Sequence, residues 1–339
     1  MPQSGGEVKS RKLRQEDKRK TVGHQTTVVY ICASGHSGST LLDLLLGSHP
    51  LVTSLGEVGQ FTRYFRNNDQ CTCKAPVQEC SFWLGVYKLI LNEDGIDLIQ
   101  SSNSDFASFM WGHARLSNPR SIYTRLLYPL LKGVSLVGSS RLLRSSTVLF
   151  PAVRKALELN FSLFDAVARV TGSLCVVDSS KSLLRMKLLF LWHPKRLRIV
   201  HLVRDGRAVM ASRMRKRRVS ARVAARAWAA YQRRASILLR TIPKDQQRIV
   251  RYEDLCDDSN QALIELCSWL KIPYDTTMLN YTDNQHHNLA GNRMRFDCEG
   301  KIQRRDEWKS KLTQGDLAVF GRMARRVPRS LRDNGERDE

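Results

Sequence analysis

The stretch VVYICASGHSGSTLLDLLLGSHP, from Val28 to Pro50, sets the tightest limit on how this chain can fold. A β-branched apolar run of strand length gives way to small and polar residues, Ser34 to Thr40, and then resumes as a leucine-rich run. Both flanks are apolar enough to be interior, so the segment between them reads as a turn from a buried strand into a core-anchored helix. Such a turn leaves the first N–H groups of the helix without partners and adds the partial positive charge of the helix end, which together suit an anion. Gly35 and Gly38 allow backbone angles and close approach that a side chain would block. Ser37, Ser39 and Thr40 can donate hydroxyls to phosphate-type oxygens. With Ser34 they make four hydroxyl residues where a plain packing turn needs none.

The same strand–loop–helix unit recurs. Strands are expected at Thr27–Cys32, Leu174–Val177, Leu197–Val203 and Arg248–Arg251, followed by helical patterns at Leu41–Leu46, Leu183–Leu191, Ala208–Leu239 and Gln261–Leu270. This alternation predicts an α/β fold, a parallel sheet covered by helices on both faces. Residues 85–170 carry helical patterns without a convincing strand and read as a helical insertion or cap. The chain divides into a disordered basic arm (1–25), one domain (26–325) and a polar tail (326–339).

A formal charge of +23 over 339 residues makes the expected partners anionic. The arm, with KSRKLRQEDKRK at Lys9–Lys20, has no apolar stretch behind it that would make a secretory leader. No run of about 18 uncharged apolar residues reads as a membrane span. The eight cysteines are scattered apart from Cys71, Cys73 and Cys80, as suits reduced thiols in a cytoplasmic chain. The leucine- and arginine-rich stretch Arg125–Phe150 reads as a buried cap helix pair, with peripheral contact on an anionic membrane as the other reading.

Which anion the loop would hold depends on its details. A nucleoside-triphosphate loop has the form G-x-x-x-x-G-K-[ST], but Gly38 is followed by Ser39 and Gly35 lies only three residues earlier. LCVVD, ending at Asp178, has the look of a Mg²⁺-supporting strand and keeps a kinase-like phosphotransferase in view. In RIVHLVRDGRAVMASR, Arg204 ends a buried strand at the carboxyl edge of the sheet, and Ser212 lies eight residues on in the next helix. A guanidinium fork and a hydroxyl together suit a phosphate, with Arg207 and Arg213 as supporting charges.

These segments, in this order, resemble the sulfotransferases that use 3′-phosphoadenosine 5′-phosphosulfate (PAPS). SGHSGSTLLDLLLGSHPLVTSLGE is similar to their 5′-phosphosulfate loop and RIVHLVRDGRAVMASR to their 3′-phosphate motif. CTCKAPVQECSFW (Cys71–Trp83), VRYEDL (Val250–Leu255) and GNRMRF…I…W (Gly291–Trp308) resemble further family segments. The resemblance covers roughly 28–83 and 174–309. It implies a P-loop-like fold and sulfuryl transfer from PAPS to an acceptor hydroxyl. It also implies a nucleotide site at Ser34, Gly35, His36, Ser37, Gly38, Ser39, Thr40, Arg204, Ser212 and Arg295. A carbohydrate acceptor is expected first, since the family uses such hydroxyls widely.

Sulfuryl transfer needs a base for the acceptor hydroxyl, an in-line arrangement and positive charge on the departing phosphate. Side chains and a helix end can supply that charge without a metal. His36 stands where many relatives carry Lys or Arg; a neutral imidazole there is a weaker electrostatic clamp, and an imidazolium would suit a dianion. Glu57 resembles the base of the related protein-tyrosine sulfotransferases. Lys181 could reach the bridging oxygen, with Asp178 orienting it or serving as an alternative base. The segment Arg213–Arg234 has nine basic residues and no acid. On a helical wheel Val223, Ala227 and Tyr231 share one side, and the sparse aromatics speak against a nucleic-acid helix. A basic nucleic-acid- or membrane-binding protein is the remaining alternative, and a nucleic-acid partner is not expected. Cys71, Cys73 and Cys80 lack a fourth ligand at finger-like spacing, so packing or a disulfide is expected there and no metal.

Overall fold

Five strands form one all-parallel sheet in the spatial order β2–β3–β1–β4–β5. They are β1 (Thr27–Ala33), β2 (Val52–Ser54), β3 (Cys175–Asp178), β4 (Leu197–Val203) and β5 (Gln247–Arg251). The structure is a computed structural model and describes residues 25–97, 122–149, 151–296 and 302–332. The arm at 1–24 and the end of the tail, 333–339, lie outside the described residues.

Strand alternation divides the core. Val28, Tyr30 and Cys32 of β1 face one side of the sheet with Val176 and Ile199, and Val29, Ile31 and Ala33 face the other with Val177, Val200 and Leu202. The second face is covered by α1 (Ser39–Gly47), whose Leu41, Leu42, Leu44, Leu45 and Leu46 are all buried there. The first face carries α2 (Phe61–Asn67), α3 (Ser81–Asp94), α4 (Ile122–Val137), α5 (Ser140–Leu149), α6 (Pro151–Thr171) and α7 (Leu183–Trp192). Within the expected helical insertion, the described residues of 85–170 contain no strand, and 98–121 lie outside them. Leu131, Val134 and Leu143 of its helices are buried, whereas Leu136, Val137 and Leu142 are exposed. Among the described residues no helix is long and apolar enough to cross a membrane.

Two details depart from the sequence reading. Val52–Ser54 is a strand, paired in parallel with β3, although three residues carry too little pattern to announce it. The run expected to be one helix over Ala208–Leu239 is two, α8 (Gly206–Arg217) and α9 (Ala221–Leu239). Arg218 takes φ 51° and Ser220 caps the new helix by accepting from the Val223 N–H. The break lets α9 bury Ala224, Ala225, Trp228 and Gln232, while Val223 is 53% exposed. Val223 therefore points away from the core, while Tyr231, placed on the same side of the wheel, packs partly buried against it. Beyond β5 come α10 (Tyr252–Asp257), α11 (Ser259–Leu270), α12 (Trp308–Lys311) and α13 (Gln314–Ala324). The last packs on α9 around Trp228 and Phe320.

Candidate active site

The carboxyl ends of the strands open into a cavity of about 1030 Å³. Its floor is the loop between β1 and α1. No side chain caps α1, whose N-cap is Gly38 at φ 88°; the Leu41 and Leu42 N–H groups donate to the Gly38 carbonyl, which leaves those of Ser39 and Thr40, on the cavity wall, without a side-chain cap. A Cβ on Gly38 would stand 2.3 Å from Cδ2 of Tyr252, so glycine is required here by conformation and by space. Gly35 differs from the sequence reading: its φ needs no glycine, and a Cβ would meet nothing within 4 Å. Its bare backbone instead leaves room in the cavity it lines. His36 takes the other left-handed position, at φ 72°. Ser34, Ser39 and Thr40 line the cavity, but Ser37 does not and is fully buried. The Oγ atoms of Ser34 and Ser37 have no hydrogen-bond partner among the described residues.

Arg204 leaves the end of β4 and lies over the Tyr252 ring, 4.2 Å from its centroid. It donates through Nη1 to the His36 carbonyl (3.2 Å) and through Nη2 to that of Arg305 (3.0 Å). Its Nε is buried without a partner among the described residues. The neighbouring Asp205 does not pair with Arg204. It caps α8 by accepting from the Arg207 N–H (2.7 Å) and holds the Arg207 guanidinium at 2.8 Å. Ser212, two turns into α8, lines the same cavity.

On the opposite wall Lys181 Nζ donates to Glu57 Oε1 at 2.6 Å, and Gln60 Nε2 donates to Oε2 at 2.9 Å. Both ionic side chains are largely buried yet reach the cavity. Their backbones are held tightly. Gly56, at φ 69°, lies where a Cβ would come within 2.4 Å of the Leu289 carbonyl, and that carbonyl accepts the Glu57 N–H at 2.8 Å. Lys181 sits at φ 65°, a strained position for a lysine, fixed by Tyr231 OH on its own carbonyl (3.0 Å) and Tyr30 OH on that of Ser182 (2.9 Å). Tyr231 and Ala227 thus form the cavity-facing side of α9.

Besides Ser37, two predicted site residues lie elsewhere. Asp178 neither orients Lys181 nor reaches the cavity. It is fully buried, takes Arg185 through Nε (3.0 Å) and Nη2 (2.9 Å), and accepts from the Ser180 N–H and hydroxyl. With its charge matched by Arg185, it is also poorly placed as the Mg²⁺ support of a kinase-like site. Arg295 is 5% exposed, donates to the carbonyls of Asn288 (2.9 Å) and Gln70 (3.2 Å), and is absent from the cavity wall, where Arg293 stands instead. The sulfurs of Cys71, Cys73 and Cys80 converge with the His287 ring, a fourth group that sequence spacing does not reveal.

The sequence matches the family model described as "Sulfotransferase family" over residues 29–276. The chain belongs to the sulfotransferase family. Among solved structures, the sulfotransferase domain of the curacin biosynthetic pathway superposes with TM-score 0.48 at 15% identity, covering 90% of this chain and 100% of that one. The sulfotransferase domain of the Synechococcus PCC 7002 olefin synthase gives 0.47 at 18% identity, covering 90% and 98%. Sulfotransferase STF9 from Mycobacterium avium gives 0.42 at 14%, covering 93% and 80%. No curated relative matches the chain.

The electrostatics of this sulfotransferase site are one-sided. Among the described residues the cavity wall has ten Lys and Arg side chains against two carboxylates, Glu57 and Glu307. Burial, then the charges of Lys216, Arg213, Arg217 and Lys181, push His36 down to about 4, so it is neutral near pH 7 in the free protein. Behind the loop sits Asp43 of α1, which the sequence reading passes over. It is 1% exposed and accepts from Asn288 Nδ2, which also donates to Ser54 Oγ at 2.7 Å. An acid on an otherwise leucine-rich helix is the signal that could have found it. Burial lifts Asp43 from 3.8 to about 7.

That lift has a sign. A carboxyl whose folded-state value exceeds its unfolded one contributes stability that is complete below the unfolded value and lost as pH rises through the folded one, here between 3.8 and about 7. Asp43→Asn, which cannot ionise, should therefore gain melting temperature relative to wild type at pH 8 compared with pH 5. A difference that is the same at both pH values would show that Asp43 does not titrate with folding.

Proposed function

We propose that this sulfotransferase moves the sulfuryl group of PAPS to a hydroxyl of a carbohydrate acceptor. The observation that carries this reading is the convergence, in one basic cavity, of an uncapped helix N-terminus, the Arg204–Ser212 pair and the Glu57–Lys181 pair. The orphaned Ser34 hydroxyl and Arg204 Nε, on residues of the cavity wall, together with the space at Gly35, fit an anionic nucleotide. PAPS supplies the activated sulfuryl group. The loop Ser34–Thr40 would hold its 5′ end through backbone N–H groups, and Arg204 with Ser212 would hold the 3′-phosphate. Glu57 takes the acceptor's proton, and Lys181 places positive charge where the departing phosphate gains negative charge. These two residues are hydrogen-bonded to each other in the free protein, and the lysine ammonium, with two further N–H donors, can shift toward the phosphate as the nucleotide arrives. Tyr64, Tyr231, Gln60 and Asn292 offer ring faces and amides of the kind that suit a polyhydroxyl acceptor.

The direct test is transfer of labelled sulfate from PAPS across panels of glycans, phenols, lipids and tyrosine peptides. Transfer from ATP instead would restore the kinase-like reading. Salt-steep binding to nucleic acid with no transfer would favour a binding protein. Nucleotide specificity gives an independent check. 3′-Phosphoadenosine 5′-phosphate should raise the melting temperature well beyond ADP, which lacks the 3′-phosphate. Arg204→Ala should remove most of that difference, a loss of about 1.5–3 kcal/mol for one charge-assisted contact. Equal shifts with both nucleotides would sink the assignment.

A further inference from the structure

The Cys71–Cys73–Cys80 cluster stands outside the sulfuryl-transfer cavity, whose wall includes none of the three nor His287. The four side chains come from two remote parts of the chain and meet at one point. Cys80 Sγ lies 3.6 Å from Cys73 Sγ, 3.9 Å from Cys71 Sγ and 3.2 Å from His287 Nδ1, and Cys71 Sγ is 3.8 Å from the same nitrogen. All four ligand atoms lie within 4.8 Å of one another. Around a tetrahedral zinc ion, with bonds of about 2.3 Å to sulfur and about 2.0–2.1 Å to nitrogen, ligands stand about 3.8 Å apart sulfur to sulfur and about 3.5 Å sulfur to nitrogen. The observed separations bracket those edges.

The backbone is folded for the purpose. Lys74, at φ 72°, closes a tight turn in which the Cys71 N–H donates to the Ala75 carbonyl and the Lys74 N–H to that of Cys71, both at 2.9 Å. This brings two cysteines one residue apart to the same side. Backbone N–H groups lie near each sulfur: that of Cys73 beside Cys71, that of Ala75 beside Cys73, and that of Trp83, in the first turn of α3, beside Cys80. The imidazole is oriented by stacking on Phe82, 4.8 Å between centroids and 6° between planes. The His287 carbonyl accepts Trp83 Nε1–H at 3.0 Å. Supporting contacts of this kind fix the ligands of metal sites in place.

We propose that Cys71, Cys73, Cys80 and His287 bind one structural zinc ion. Three sulfurs and one imidazole nitrogen select zinc over hard cations, and four protein ligands leave no open position for a substrate. The ion closes a loop of 207 residues, tying the turn before α3 to the segment that continues into Asn288 and Leu289. A disulfide would use only two of the three sulfurs and would give the imidazole and the third thiol no reason to converge.

The test uses the full chain purified without added chelator. Elemental analysis should find about one zinc per chain, released when a mercurial reagent titrates the thiols. Exchange with cobalt(II) should give the visible bands of a tetrahedral thiolate site, and Cys73→Ser and His287→Ala should each lose them. Cys73 is only half-buried, so Cys73→Ser should still show the wild-type far-ultraviolet circular dichroism while melting on the order of 5–10 °C lower. A wild-type chain that is folded and metal-free with three titratable thiols would overturn the proposal. So would a peptide map of the unreduced protein with two of the three cysteines joined, or a tetrahedral cobalt spectrum that survives His287→Ala.

Discussion

Glu57→Gln is expected to lower kcat by ~10²–10⁴-fold while nucleotide affinity holds or rises slightly. Glutamine keeps the shape and can still accept from Gln60, but it cannot take the acceptor's proton. It also releases Lys181 from its 2.6 Å ion pair, so the ammonium becomes available to the nucleotide before any chemistry begins. Lys181→Met should behave differently. It removes charge that acts both on the bound nucleotide and on the departing phosphate, so kcat falls and nucleotide binding weakens together. Single-turnover rates with saturating PAPS, beside calorimetric binding of 3′-phosphoadenosine 5′-phosphate, separate the two. Near wild-type turnover in Glu57→Gln would make the glutamate a tether for Lys181 and send the search for the base elsewhere.

The second large effect is on stability. Asp178→Ala should cost about 3–5 kcal/mol, because it removes the carboxylate that two nitrogens of the buried Arg185 guanidinium hold. The two side chains are 0% and 1% exposed, so water cannot replace the missing carboxylate. The change also removes the acceptor for the Ser180 hydroxyl, whose oxygen holds the Gly59 N–H at 2.7 Å just beyond Glu57. Replacing both partners by apolar residues, Asp178→Leu with Arg185→Met, should recover much of the loss. Urea unfolding of the three variants measures this. Unchanged stability in Asp178→Ala together with abolished turnover would return Asp178 to the list of bases.

Where the sequence is legible, the signal is local. A buried strand, seven mostly small residues and a leucine-rich helix are contiguous, so their order alone places Ser34–Thr40 at a sheet edge. Arg204 is legible for the same reason. The errors arise where pairing is remote. Lys181 stands three residues from Asp178, and proximity along the chain suggests that they pair, but its partner is Glu57, 124 residues away. Arg185, one helical turn further on, claims Asp178 instead. Arg293 and Arg295 are alternate residues on one short 3₁₀ turn, and which of them meets the cavity depends on how that turn docks. The helix break at Arg218 is hard to read because every residue nearby is a good helix former except Val219 and Ser220.

The segment around Asn288 has a consequence for how the protein is made. Its side chain meets Asp43 and Ser54, 245 and 234 residues earlier, and its neighbour Leu289 carries the backbone of Glu57. A chain emerging from the ribosome can pair β1, β3 and β4 long before this segment is translated. During that interval the wall that carries Glu57 is unanchored and Asp43 is an interior acid without its amide. Contacts this distant in sequence are slow to form and leave partly folded chains exposed. A nonsense mutation just before residue 287 would therefore yield a chain with every strand of the sheet and no working site, a natural substrate for chaperones and proteases.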